Sequence, residues 1–525
     1  MALVSLLLCL QSIAIHALLS YALPNITHTL EARQSNSKLV FCHFMVCALD
    51  STTSLTVFTG FQIGITSDRT SSGDYDDDMK RAKALGIDAF ALNIGVDPYT
   101  DTQLNFAYDS AAANGMKVFI SFDFNWYHTS DGSAVGAKVA QYASRPAQLM
   151  VNNKVFVSSF AGDGVDVDAI RAAAGRDVYF APNFHPGQGN FGVIDGALNW
   201  MGWQNDGNNK APKPGKLITV DAGDKAYISA LGGKGYIAPA SPWFFTHFGS
   251  EVSYSKNWVF PGDFLWYLRW VEILALKPTF VEIVTWNDYG ESHYIGPLAS
   301  KHTDDGASKW INDMPHIGWL EMSKLFIAAY KAGANSVNSF IAEEKLVYWY
   351  RITPKDLNCD STDTTMGPAN NASGNYFNGR PNGYETMKDE VFVVALLRSA
   401  GTVRVNSGGT LYTFDAPAGA AAFSVPFKVG SQSFSLVRNG VEVLGATSFK
   451  VIQNTCPCGL YNFNPYVGTV PEEARDVLGP DGFAAFNNGL KVACNPTPSL
   501  PATPPATTAA STTIRATAAP TSTPV

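Results

Sequence analysis

Charge is scarce in this chain. Only 16% of its 525 residues are Asp, Glu, Lys or Arg, the formal net charge is −8, and no basic run is longer than a pair. That surface lacks the positive field needed to hold a phosphate backbone, so nucleic acid is excluded as a partner. No GxGxxG or P-loop opens a helical pattern, and no GxSxG elbow follows a strand pattern. The nine His residues are scattered, without HExxH or CxxC-type spacing. No metal site and no cofactor are therefore expected. Long apolar runs are also rare. Residues 2–22 form an apolar stretch broken by Gln11, Ser12 and His16, with small Ser20 and Ala22 at cleavage-like positions. This is the pattern of a secretory signal over residues 1–22, although no Lys or Arg precedes Arg33. No later stretch reaches membrane length and no apolar C-terminal run is present, so no membrane anchor is expected.

What the chain has in quantity is apolar and aromatic residues: 46% hydrophobic, with 11 Trp, 21 Tyr and 32 Phe. A large core is available, and such rings also suit stacking on the apolar faces of sugars. Between residues 38 and 340, short apolar runs alternate with helical patterns. The runs are 40–46, 89–94, 117–124, 154–160, 178–184, 196–203, 235–248 and 279–286; helical patterns include 76–85, 166–174, 264–276 and 317–332. Eight such units predict an α/β fold, a (β/α)₈ barrel, with a doubly wound sheet as the alternative. From residue 341 the period becomes 2, and Asn439-Gly440 is a type I′ hairpin signal. An all-β, sandwich-like domain is expected over 341–495, followed by a disordered Ser/Thr/Pro-rich tail over 496–525.

Of seven Cys, four lie in the last third. Cys456 and Cys458 are too close to favour each other, so one is expected to pair with Cys359 and the other with Cys494. Asn25 and Asn371 head glycosylation sequons, meaningful for a secreted chain.

Barrel chemistry sits at the C-terminal ends of the strands, and here those ends are polar and aromatic. They carry Asp123 and Asn125, Asp163, Asn183 and His185, Trp203, and Trp243 and His247. The eighth ends in Trp286, Asn287, Asp288, Tyr289, Gly290 and Glu291. Asp288 and Glu291 would share one rim, and paired carboxyls among aromatics are what glycoside hydrolysis needs. The competing reading makes Asp288 a helix cap and Glu291 its capping-box partner. Residues 163–168, DGVDVD, match most of the DGxDxDxE signature of barrel chitinases, but Ile170 stands where the catalytic Glu would be. Asp166 and Asp168 are therefore read as helix starters.

Taken together, the segments VFCHFMV, GDYDDDMKRAKALGIDAFALNIG, KVFISFDFNW, VFVSSFAGDG, YFAPNFHPG, MGWQNDG, YIAPASPWFFTHF and TWNDYGESHYIGP resemble the fungal α-1,3-glucanases, or mutanases, of glycoside hydrolase family 71. The resemblance spans residues 38–470. It implies a barrel with a β-sandwich behind it and cofactor-free hydrolysis of α-1,3-glucan, endo-acting and inverting, by a secreted or wall-associated monomer. It places the catalytic pair on Asp288 and Glu291, with Glu291 the general acid of raised pKa and Asp288 activating water, roles open to exchange. Inversion would set the two carboxyls roughly 6.5–9.5 Å apart, and about 5 Å would mean a nucleophile. Asp123, Asn125, Asp163, Asn183, His185, Trp203, Trp243, His247, Trp286, Asn287 and Tyr289 are the implied substrate contacts. The alternative function is a catalytically lapsed, wall-binding relative. One departure stands out: 47–63 interrupts the family's join after HFMV. It is read as an intron retained in the gene product or as a loop inserted at the rim.

Overall fold

The computed structural model describes residues 38–46, 65–248, 256–302, 307–363, 379–474, 476, 503–505 and 512–515. The expected signal segment, Asn25, the 47–63 insertion, Asn371 and Cys494 lie outside the described residues.

Eight parallel strands form the centre: β1 (Leu39–Met45), β2 (Ala89–Ile94), β3 (Lys117–Asp123), β4 (Lys154–Phe160), β5 (Val178–Phe180), β6 (Gly196–Leu198), β7 (Gly235–Ala240) and β10 (Phe280–Ile283). They lie in the order β5, β4, β3, β2, β1, β10, β7, β6, every neighbouring pair parallel. β1 and β2 are buried along their whole length, as strands covered on both faces must be. The ladder does not run between β5 and β6. Single bonds stitch that seam: Asp195 N–H to Phe180 O (3.0 Å) and Leu198 N–H to Pro182 O (2.9 Å).

The expected run 235–248 is not one strand. β7 stops at Ala240; Pro242, which has no N–H to donate, lies in the break, and β8 (Phe245–Phe248) leaves to pair antiparallel with β9 (Lys256–Val259). The fifth, sixth and eighth runs are also shorter than expected. Their polar, aromatic ends bend into loops over the strands.

Seven main helices lie outside the sheet: α1 (Asp76–Leu85), α2 (Thr100–Asn114), α3 (Gly132–Tyr142), α4 (Val167–Ala174), α5 (Val220–Leu231), α6 (Leu265–Leu276) and α7 (Ile317–Lys331). Gly86 and Gly115 end α1 and α2 at φ 92° and 65°, conformations that suit glycine. Asp166 caps α4 by accepting from Ala169 N–H (2.9 Å), as its sequence position led us to expect. Strand alternation sorts the core. Val40, Cys42 and Phe44 face the helices, where Trp266, Trp270 and Trp319 pack. Phe41, Phe119, Phe156, Tyr179 and Phe280 fill the inside, with Phe41 5.0 Å from Phe119 and 5.2 Å from Phe156 between ring centroids.

β11 (Lys345–Arg351), β12 (Glu390–Leu397), β13 (Gly401–Ser407), β14 (Thr410–Ala416), β15 (Gly419–Pro426), β16 (Gln432–Arg438), β17 (Val441–Thr447) and β18 (Pro465–Val470) follow. They form two sheets, β15-β12-β11-β18 and β17-β16-β13-β14, around a core that includes Val393, Val405, Phe423 and Leu436. Asn439 and Gly440 turn between β16 and β17 with φ 50° and 79°, as a type I′ hairpin requires. Within the tail expected to be disordered, Thr512–Arg515 is a strand parallel to β14. Cys359 pairs with Cys456, 97 residues away, and Cys458 is disulfide-bonded too, with a partner outside the described residues. The two described ends flanking the insertion meet: Thr66 Oγ1 donates to Val46 O at 3.1 Å.

Candidate active site

Beyond β10 the chain folds back on itself. Thr285 N–H donates to His293 O (3.0 Å) and Ile295 N–H to Thr285 O (3.0 Å). Inside this loop Asp288 caps the short 3-10 helix Tyr289–Glu291, accepting Glu291 N–H on Oδ1 at 3.0 Å, while its own N–H donates to Thr285 Oγ1 at 2.9 Å. The capping reading thus holds for Asp288, and the cap brings both acids to one side.

Glu291 is gripped twice. Its Oε1 lies 2.5 Å from Lys256 Nζ on β9 and its Oε2 2.9 Å from His293 Nε2. An ionised carboxylate only accepts, so that nitrogen of His293 carries the proton. The other ring nitrogen meets Thr285 Oγ1 at 3.1 Å, and Trp203 stacks on the imidazole with planes 15° apart. Burial works to raise the Glu291 pKa, but Lys256 and His293 outweigh it and hold the carboxyl at about 2. Asp288 goes the other way: burial, then the Glu291 charge, pushes it up. This reverses our expectation that Glu291 has the raised pKa. The reason is Lys256, which no spacing in the sequence connects to Glu291. Asp123, ending β3, is pushed up to about 6 by burial and also by Glu291, against a backbone N–H from Asn125 and the nearby His43. Below lies a buried pair, His43 Nδ1 2.8 Å from Glu282 Oε1, with Trp200 edge-on to His43 at 4.7 Å.

Atoms of Asp288, Glu291 and His293 approach within 4.8 Å of one another. That is close enough for a divalent ion, but the cation serving this carboxylate is Lys256, and the three are not assigned as metal ligands. The same figure puts an oxygen of Asp288 nearer to Glu291 than the separation expected for inversion by this pair.

The other expected contacts divide sharply. Asp123, Asn125, Asp163 and His185 stand at the strand ends; Asn125 is exposed and His185 half-exposed, with Asp163 accepting both His185 N–H (2.7 Å) and its ring Nδ1 (2.6 Å). The remaining residues, like Asp123, are enclosed and already engaged. Trp286 donates to Asp78 (2.9 Å), Trp243 to Phe463 O (3.0 Å) and Tyr289 to Pro297 O (2.8 Å). Asn287 clamps the Met45 N–H and carbonyl, Asn183 donates to Leu198 O and Tyr227, and His247 lies between Asn257 and Asp363. Trp203 has no exposed surface. None of these offers a sugar a free face. Sequence reasoning missed Lys256, His293, His43 and Trp200. His293 sits in the same TWNDYGESHYIGP segment as the acids, which was its one signal.

Comparison with known proteins adds to this picture. The model of glycosyl hydrolase family 71 matches residues 36–479. A mutanase of Penicillium rubens is 39% identical over 463 residues, 86% of this chain and 94% of the relative. A glucan endo-1,3-alpha-glucosidase of Schizosaccharomyces pombe is 34% identical over 79% of this chain and 94% of its own length, and an ascus wall endo-1,3-alpha-glucanase of the same yeast is 29% identical over 78% and 95%.

Proposed function

The chain belongs to glycosyl hydrolase family 71 and is a glycoside hydrolase, and from that premise we propose that it cleaves internal α-1,3-glucosidic bonds of α-1,3-glucan outside the cell, on a (β/α)₈ barrel whose β5–β6 seam is bridged by single hydrogen bonds. One observation supports the assignment of its acids above others: neighbouring carboxyls are biased in opposite directions, Asp288 toward keeping its proton and Glu291 toward losing it. Environments that push two carboxyls apart mark acid and base roles. Asp288 then donates the proton to the departing glycosidic oxygen. Glu291, kept ionised by Lys256 and His293, stabilises the positive charge that grows at the anomeric carbon.

An oxygen of Asp288 lies within 4.8 Å of one of Glu291, nearer than inversion by this pair calls for, so we take the base from elsewhere. Asp123 fills that role. It belongs to a different strand, senses the Glu291 charge, and its pKa of about 6 makes it a stronger base than an ordinary carboxylate. Asn125, Asp163 and His185 contact the glucan at the rim.

The test uses insoluble α-1,3-glucan, with chitin and β-glucan as controls. Asp288→Asn and Glu291→Gln should each lower hydrolysis at least ~100-fold while leaving polysaccharide binding in place. Unchanged rates in both variants would refute the assignment. Proton NMR of the first product should show the β-anomer; an α-anomer overturns inversion and the role of Asp123.

A further inference from the structure

Lys256 reaches Glu291 from a hairpin that the central parallel sheet does not hold: β8 and β9 form a two-stranded sheet of their own. Much of their support comes from chain that follows the barrel. On β8, His247 sets Nδ1 2.8 Å from Asn257 Oδ1 and Nε2 2.6 Å from Asp363 Oδ2, with both side chains shut away from solvent. On β9, Asn257 Nδ2 donates to Gly379 O (3.1 Å), Asn382 N–H to Asn257 O (3.1 Å) and Val259 N–H to Asn382 O (2.9 Å). Asp363 is fixed in turn. Its N–H donates to Cys359 O (2.8 Å), its Oδ2 accepts Tyr461 N–H (3.1 Å), and Cys359 is tied to Cys456 by the disulfide.

We infer that this brace, centred on the His247–Asp363 contact and contributed by the region after the barrel, is a positioning element of the catalytic site that holds Lys256 against Glu291. The inference rests on the role proposed above for Glu291. It makes the C-terminal region part of the catalytic apparatus and not a separable appendage. Charged and titratable groups acting on Glu291 are Lys256 from β9, His293 and Asp288 from its own loop, and Asp123 from the end of β3. Of these, Lys256 is the one carried on the braced hairpin. If the brace is loosened, the ammonium moves away, the Glu291 carboxylate becomes easier to protonate, and activity that needs it ionised fails at a higher pH.

The experiment compares full-length wild type with Asp363→Asn, Lys256→Gln, their double variant and Glu291→Gln, following kcat and KM against pH on a soluble α-1,3-glucooligosaccharide. Displacing a group by about an ångström costs up to about 100-fold in rate. Asp363→Asn should therefore lower kcat about 10- to 100-fold with KM little changed, and move the acid limb of the profile upward. Lys256→Gln should move it the same way, and the double variant should be no worse than Lys256→Gln alone. If Glu291→Gln is inactive but Asp363→Asn keeps the wild-type profile, or if the two losses multiply, the brace is refuted. A fully active Glu291→Gln would instead sink the role of Glu291, and the brace with it. Should Asp363→Asn fail to fold, His247→Gln is judged by the same criteria.

Discussion

The two acidic lips at the C-terminal ends of the parallel strands are built in opposite ways. After β10, Asp288, Glu291 and His293 are almost enclosed, and each is held by at least two neighbours. After β4 and β5, Asp163 holds His185 alone, and 45% of the His185 side chain is open to water. Enclosure makes charges act strongly on one another, which is what setting two protonation states requires. Exposure forfeits that control and allows contact with a polymer from outside. In the proposed reading the enclosed lip cleaves the bond and the open one grasps the polymer.

Changes that attack this division should rank accordingly. Asp123→Asn removes the proposed base and should lower turnover about 100-fold, measured on insoluble glucan. It also has a stability signature. The wild-type Asp123 pKa is raised from 3.8 to about 6, so below pH 3.8 the group is protonated folded or unfolded and takes nothing from stability. Between 3.8 and 6 the unfolded chain gives up this proton while the folded one keeps it, so the fold loses stability as pH rises to about 6 and holds that deficit above it. Asp123→Asn should therefore unfold at a higher temperature than wild type near neutral pH, by an amount on the order of 1–3 kcal/mol, with the gap closing below about pH 4. His185→Ala, at the open lip, should raise KM about 10-fold with kcat nearly unchanged. A loss in kcat would show that this lip also takes part in cleavage.

Smaller effects sharpen the contrast. Asn287→Ala strips both partners from the buried Met45 backbone and should cost about 1–3 kcal/mol in urea unfolding, whereas His185→Ala should leave that curve in place. The mildest change is removal of 47–63. Val46 O and Thr66 Oγ1 already touch across the insertion, so the shortened chain closes as a tight turn. The deletion variant should fold and retain wild-type hydrolysis, and loss of its circular dichroism would show that the inserted residues are needed.

Much of this architecture was legible in the sequence. β2 and β4 lie where their buried β-branched runs ended, because both faces of such strands are covered and the apolar run is continuous. Asp288 and Glu291 share a rim as their spacing suggested. The charge on Glu291 was not legible, because Lys256 arrives from a hairpin outside the central parallel sheet. Trp203, Trp243 and Trp286 were misjudged as sugar platforms for a related reason. Composition reveals a ring, but whether it ends in a cleft or under a helix depends on its neighbours, and here each indole is buried.

The stitched seam between β5 and β6 has a consequence for how this protein behaves in a crowded solution. A sheet left open normally presents two strand margins on which foreign chains can polymerise. Both margins here are only three residues long, Val178–Phe180 and Gly196–Leu198, and each is partly spoken for by the Asp195 and Leu198 amides. So short a margin gives a stray strand almost no template, and the enzyme stays protected from runaway β-assembly without a full ring of hydrogen bonds.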